Sequence, residues 1–224
     1  MSFGDKKLSE IAVSVPGSTS LLREYDLDFC CGGSDTLSNA AAEKGLNLAE
    51  IETRLTELQN SKAENPEEYW VNATYPEIID HILVRYHQRH REQLQELIVL
   101  ADRVESVHGD REDCPMGVAA ELRNVYEDLS NHMMKEEHVL FPMIKAGNYM
   151  MAQMPIRIME MEHAEHGEHL EVLKSLTNNM TPPADACNTW LALYSGIQEF
   201  IDDLMMHIHR ENNILFPRVI AENH

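Results

Sequence analysis

Two short motifs in this 224-residue sequence have the composition and spacing of metal ligands: His132-Met-Met-Lys-Glu136 and His207-Ile-His-Arg-Glu211. On a helix, residues i and i+4 lie on one face a turn apart, so each His and its Glu can aim at one spot. Both pairs interrupt apolar stripes, Leu129 to Leu140 in one and Leu204 to Leu215 in the other. A carboxylate on such a stripe is buried, which costs several kcal/mol unless the charge is compensated. Two facing carboxylates also repel, and one of them then takes up a proton. Divalent cations remove both problems and use the imidazoles as neutral donors.

The motifs belong to an internal repeat. An offset of 75 carries His132-x3-Glu136 onto His207-x3-Glu211 and Leu140-Phe-Pro142 onto Leu215-Phe-Pro217. An offset of 76 carries His87-Gln-Arg-His90 onto His163-Ala-Glu-His166. One His on an apolar stripe is more often a packed core residue than a ligand. Recurrence in two-fold register favours ligation, and points to His87, His132, Glu136, His163, His207 and Glu211. Imidazole and carboxylate without thiolate suit iron or manganese better than structural zinc. Two ions, each with two His and both Glu shared, is the economical arrangement. His90 and His166 lie one turn from these ligands on the same stripes. His81, His108, His138, His169, His209 and His224 are expected at solvent or helix ends. Asp128, four residues before His132, and Glu162, beside His163, read first as exposed acidic residues, with acceptance of an imidazole N–H as the alternative.

The elements that position these residues read as four long helices with short connections, an antiparallel bundle. The first starts at Thr74, where Thr-Tyr-Pro-Glu77 has capping-box spacing, and runs to about His108. The second spans about Pro115 to Lys145 and stops at Gly147. The third is expected to start near Pro155, and the fourth after Thr181-Pro182. Pro142 and Pro217 fall inside helical patterns and are expected to bend them. The fold class is therefore all-α, with a domain over 76–224, a polar linker over 61–75, and a small helical domain over 1–60.

The small domain carries the adjacent thiols Cys30 and Cys31, followed by Gly32-Gly33 and an expected helix start near Ser34 or Asp35. A helix N-terminus lowers a thiol pKa, while Asp26 and Asp28 act the other way. The pair reads as two thiols with a redox, metal-transfer or nitrosylation role. The competing reading is a turn without chemistry. Cys114 and Cys187 read as bystanders. Four Cys in this pattern do not form a disulfide framework, which suits a reducing cytoplasm.

Composition narrows the partners. The formal net charge is −20 and aromatic residues are only 6%, so nucleic acid is not an expected partner. No window reaches 18 uncharged apolar residues, so no membrane span is expected. The start of the chain lacks the apolar run of a secretory signal. Monomer and homodimer both remain open.

Asp26-Leu-Asp-Phe-Cys-Cys-Gly-Gly33, His87, His132-x3-Glu136, His163 and His207-x3-Glu211 together resemble the repair of iron centres family, the hemerythrin-like di-iron proteins that mend iron–sulfur clusters. The resemblance covers nearly the whole chain. It implies a hemerythrin-like bundle with two iron ions, the four His as terminal ligands, and Glu136 and Glu211 as bridges. It implies damaged iron–sulfur proteins as partners and small gases such as nitric oxide or oxygen as ligands. Iron donation and nitric oxide processing are both open routes; an oxygen or nitric oxide binding or sensing module is the alternative function. The sequence departs from oxygen-carrying hemerythrins at Gly167, where those proteins place a further His, and in ending its last motif at Glu211 with Asn212 after it. Fewer His per iron leaves more open positions.

Overall fold

The computed structural model describes residues 2–61 and 64–222, and His224 lies outside them. Among the described residues the structure is all-α, with one isolated bridge between Lys7 and Thr36. Two compact units form: Met1–Ile78 together with Met206–His224, and Ile79–Met205.

The second unit is a four-helix bundle. Its first helix enters as α6 (Tyr75–His81) and continues as α7 (Gln88–His108). Thr74 and Glu77 cap it reciprocally: the Thr74 N–H and hydroxyl donate to Glu77, and the Glu77 N–H donates to Thr74 Oγ1. The second helix is α8 (Val118–Lys135) and α9 (Phe141–Lys145). It closes at Gly147, φ +75°, with the Gly147 N–H on Ile144 and the Asn148 N–H on Met143, a Schellman pair. The third is α10 (Tyr149–Leu176) and the fourth α11 (Asn188–Arg210). Cross-helix pairs run antiparallel: Arg85 with Asp203 and Arg89 with Glu199, Asp102 with Arg123, and His132 with Glu162. Leu94, Leu97, Leu122, Leu129, Ile156, Leu173, Leu193 and Ile197 fill the core.

Two helix starts differ from the sequence expectation. Helix α10 begins at Tyr149, so Pro155 lies inside it rather than at its start. Helix α11 begins at Asn188 rather than after Thr181-Pro182. There Pro183 disfavours the α conformation for Pro182, and the tandem prolines hold the chain out of helix.

In the first unit, α1 (Leu8–Ser14), α2 (Ser18–Glu24), α3 (Leu37–Glu43) and α4 (Leu48–Asn60) surround Leu8, Ile11, Leu22, Leu27, Phe29, Ile51 and Leu55. Thr36 and Asn47 cap α3 and α4 through their side chains. The 61–75 stretch, expected as a linker, carries α5 (Pro66–Asn72), capped by Asn65 with Pro66 at its first position. Helix α5 is fastened. Buried Glu67 pairs with buried Arg210, whose guanidinium lies 4.8 Å over Trp70, and Arg218 donates to the Trp70 carbonyl at 3.2 Å.

Candidate metal centre

Three turns of the long helices are widened to π geometry: Ile82–His87, Glu136–Leu140 and Glu211–Leu215. In each, the N–H that follows reaches back five residues: Gln88 to Leu83, Phe141 to Glu136, Phe216 to Glu211. Each π turn begins or ends on an expected ligand, as single-turn π bulges at functional sites commonly do. The widened turns also explain the prolines. Pro142 and Pro217 sit just past them, at the start of α9 and of α12 (Phe216–Ala221), where the α ladder is already interrupted.

All six expected ligands are buried, none more than 1% exposed. The Glu136 Oε2 lies 3.3 Å from His87 Nε2 and 3.5 Å from His132 Nε2. His132 Nε2 and His163 Nε2 converge at 3.0 Å. Two imidazole nitrogens roughly 2.1 Å from one ion at a right angle stand about 3.0 Å apart, so this spacing suits shared ligation. His207 Nε2 lies 3.3 Å from Glu211 Oε1. His87, His132, Glu136 and His163 thus gather within the Ile79–Met205 unit, and His207 pairs with Glu211 in the other; buried His/Glu groups of this kind could hold a metal. This donor set fits metal: buried carboxylates are costly without compensating positive charge, and buried neutral imidazoles are ready donors.

Carboxylates behind two of the imidazoles orient them. His87 Nδ1–H donates to Glu137 Oε1 at 2.8 Å, and His132 Nδ1–H donates to Glu162 Oε2 at 2.9 Å. These bonds leave each Nε2 as the inward lone pair. The His87 bond, helped by Arg91, holds the Glu137 carboxyl down at about 2; the His132 bond, helped by Lys135, does the same for Glu162. Glu162, read first as an exposed acidic residue beside His163, serves His132 across the helix pair. Glu137 was missed, although its position after Glu136 offered the signal. Asp128 pairs with His169, 3.1 Å from its Nε2.

The remaining histidines sort differently. His90 stacks on Tyr86 and meets Phe200 edge-on; His166 meets His132 edge-on at 4.9 Å. Neither enters a ligand group. His209, expected at solvent or a helix end, lies in the last turn of α11 and is fully buried against Phe29 with Glu67 at 3.5 Å. Desolvation pushes its pKa down. Its burial does not follow from the stripe, because this end of the helix is covered on more than one face.

The Cys30–Cys31 loop is not a helix N-terminus: α3 starts at Leu37, beyond the expected Ser34 or Asp35. Instead the backbone N–H groups of Cys30, Cys31 and Gly32 all donate to the Asp28 carboxylate at 2.9 Å. The Cys30 thiol is pushed well above its ordinary range, by its bond with Cys31, by burial and by the Asp28 charge. Gly33 is required by close approach, since a Cβ there would stand 2.5 Å from the Phe29 carbonyl oxygen. Cys187, expected as a bystander, has its thiol lowered to about 7 by the Trp190 backbone N–H and by His108 at 3.3 Å.

Residues 78–219 match the hemerythrin HHE cation binding domain, and residues 4–59 match a domain of unknown function, DUF542. A probable iron-sulfur cluster repair protein of Haemophilus influenzae is 68% identical over 99% of this chain and 100% of its own length. Iron-sulfur cluster repair proteins YtfE of Musicola paradisiaca and Citrobacter koseri are each 55% identical, over 98% and 99% of both chains respectively. The chain belongs to this hemerythrin-domain family of iron–sulfur cluster repair proteins. The hemerythrin HHE domain implies iron binding, and the buried His/Glu groups of this chain could hold a metal. No helix among the described residues is long and apolar enough to cross a membrane.

Proposed function

We propose that this chain is a di-iron protein that returns iron to damaged iron–sulfur clusters in the cytoplasm. His87, His132, His163 and His207 serve as terminal ligands, and Glu136 and Glu211 as shared carboxylates. The observation that carries the reading is the burial of four imidazoles and two carboxylates on otherwise apolar helix faces. When bound, the irons supply redox chemistry and an exchangeable iron store. The residues set the hold on that store. Glu137 and Glu162 fix the imidazole tautomers, and the carboxylates balance charge. Mixed His/Glu ligation gives moderate affinity, so thiolates at a damaged cluster site compete for iron leaving the protein.

The test is recovery of a cluster enzyme damaged by peroxide or nitric oxide. Iron-loaded protein should restore activity faster than metal-free protein plus free ferrous iron; equal recovery would remove the reading. Nitric oxide processing is the second route, favoured by Gly167, which offers no side chain one turn beyond His163. Consumption of nitric oxide by the loaded protein, without iron loss, would move the assignment to that route.

A further inference from the structure

The Asp28 loop was described above as a turn that gathers backbone N–H groups, but it also gathers three metal-ligating side chains outside the bundle. Ligand atoms of Asp28, Cys30 and Cys31 lie within 4.8 Å of one another. The Cys30 and Cys31 sulfurs stand 3.8 Å apart, and Cys30 Sγ donates to Asp28 Oδ1 at 3.1 Å. Two thiolates bound roughly 2.3 Å from one ion at a tetrahedral angle have sulfurs about 3.8 Å apart. The metal-free loop therefore already holds its two sulfurs at the separation that a single tetrahedral cation requires.

We propose that Asp28, Cys30 and Cys31 form a second metal site, which takes one thiophilic divalent cation. On binding, two metal–sulfur bonds form, the two S–H protons leave to solvent, and no oxidation state changes. Loss of the Cys30 proton frees the Asp28 oxygen that had accepted it to act as third ligand.

Three features suit the site to exchange rather than to permanent structure. Among the described residues it gathers three protein ligands, whereas structural thiolate sites are closed with four. Asp28 is exposed and Cys31 half-buried, so the open side faces solvent, while Cys30 anchors the inner side. The backbone is held from behind. The Asn212 amide donates to the Cys30 carbonyl at 3.2 Å and the Asn213 amide to the Phe29 carbonyl at 2.8 Å. Both asparagines directly follow Glu211 on its π turn. Identifying the ion as ferrous iron in transit rests on the repair reading; the existence of the site does not.

Cobalt(II) is the probe, added to the reduced, metal-free full-length chain. A cobalt ion on thiolates shows sulfur-to-metal charge-transfer absorption, which His/Glu sites cannot produce. Wild type should show it, saturating at one ion. Cys31→Ser should lose most of the band and bind at this site at least ten-fold more weakly, with helix content unchanged. Asp28→Asn should keep the band with weaker binding. A Cys114→Ser, Cys187→Ser double variant should keep it entirely. Absence of the band in wild type, or its full retention in Cys31→Ser, overturns the site. The ion is tested separately. Iron-loaded Cys31→Ser should restore a damaged cluster enzyme several-fold more slowly than wild type. Equal rates with the cobalt band present overturn the transit role alone, and failure of wild-type repair is read in the separate free-iron control.

Discussion

The two His-x3-Glu copies share one local device and differ in what surrounds it. Each Glu opens a π turn, each turn leads into Phe-Pro, and each Phe N–H reaches back to its Glu. The positions flanking the ligands diverge at the offset of 75. Met134 and Lys135 are exposed in the first copy, while their equivalents His209 and Arg210 are buried against Phe29 and Glu67. Glu137 reaches His87, an expected ligand, whereas its equivalent Asn212 holds the Cys30 carbonyl. His138 is exposed, and its equivalent Asn213 holds the Phe29 carbonyl. Repetition thus fixes the inward residues, and the intervening ones decide what each turn is fastened to.

The equivalence of the two inward faces is broken most directly by removing their carboxylates. Glu136→Leu and Glu211→Leu should each reduce bound iron from about two ions per chain to fewer than one while helix content stays unchanged, since Leu suits both stripes. Metal analysis with circular dichroism checks this. Loss in one variant and full occupancy in the other would show that the copies are not equivalent in ligation.

The outward faces should differ by several kcal/mol. Glu67→Ala leaves Arg210 buried without its carboxylate, and breaking a buried pair from one side costs about 3–5 kcal/mol. Lys135→Ala, at the exposed equivalent position, should cost under about 1 kcal/mol. Denaturant unfolding measures both. The pH sign follows from Glu67. Burial opposes its ionisation, but His209 and Arg210 outweigh that and hold its pKa below the ordinary range. Its contribution is therefore present above the unfolded value of about 4.3 and lost as pH falls through the folded value. Glu67→Gln should remove that part of the acid dependence. A chain beginning near Tyr69 also lacks Glu67 and should unfold more readily for the same reason.

A third comparison lies between Glu137 and Asn212. Glu137→Gln weakens the carboxylate behind His87 and should lower iron affinity about 10- to 100-fold, the usual effect of removing such a partner. Competition with a chelator reads it. Unchanged affinity would mean that packing against Phe141, 5.8 Å between ring centroids, suffices to orient His87.

The sequence exposes the parts of this design that repeat along the inward stripe. Helix class, the Thr74–Glu77 cap and the Gly147 stop were legible because each has a local residue signature. The π turns had none of their own, although a Pro six residues after each Glu, inside an unbroken apolar pattern, is the trace they leave. Helix α5 was hidden because its stability comes from Glu67 meeting Arg210, 143 residues away. The burial of His209 was hidden for the same reason, since its cover is contributed by Phe29 and Glu67 from the far end of the chain. The Asp28 nest was illegible because loop geometry, not periodicity, turns three consecutive N–H groups onto one carboxylate.

The smallest expected effect tests whether the second turn really fastens the thiol loop. Asn212→Ala deletes one hydrogen bond to the Cys30 carbonyl and should cost about 1 kcal/mol. Iron content should not change, because Asn212 is not a ligand. What should change is access to Cys30, a residue 6% exposed whose thiol pKa is raised well above its ordinary range. In wild type, alkylation of Cys30 should lag far behind that of Cys187, whose thiol is lowered to about 7 and reacts as thiolate near neutral pH. Cys187 thus provides an internal rate standard. Asn212→Ala should raise the Cys30 rate several-fold against that standard. An equivalent Glu137→Ala change in the first copy should leave the ratio unmoved. If both variants shift it equally, the loop responds to general loosening of the chain and the division of labour between the two turns fails. If neither does, the Asn213 bond to Phe29 alone holds the loop, and the double variant Asn212→Ala, Asn213→Ala should then release Cys30.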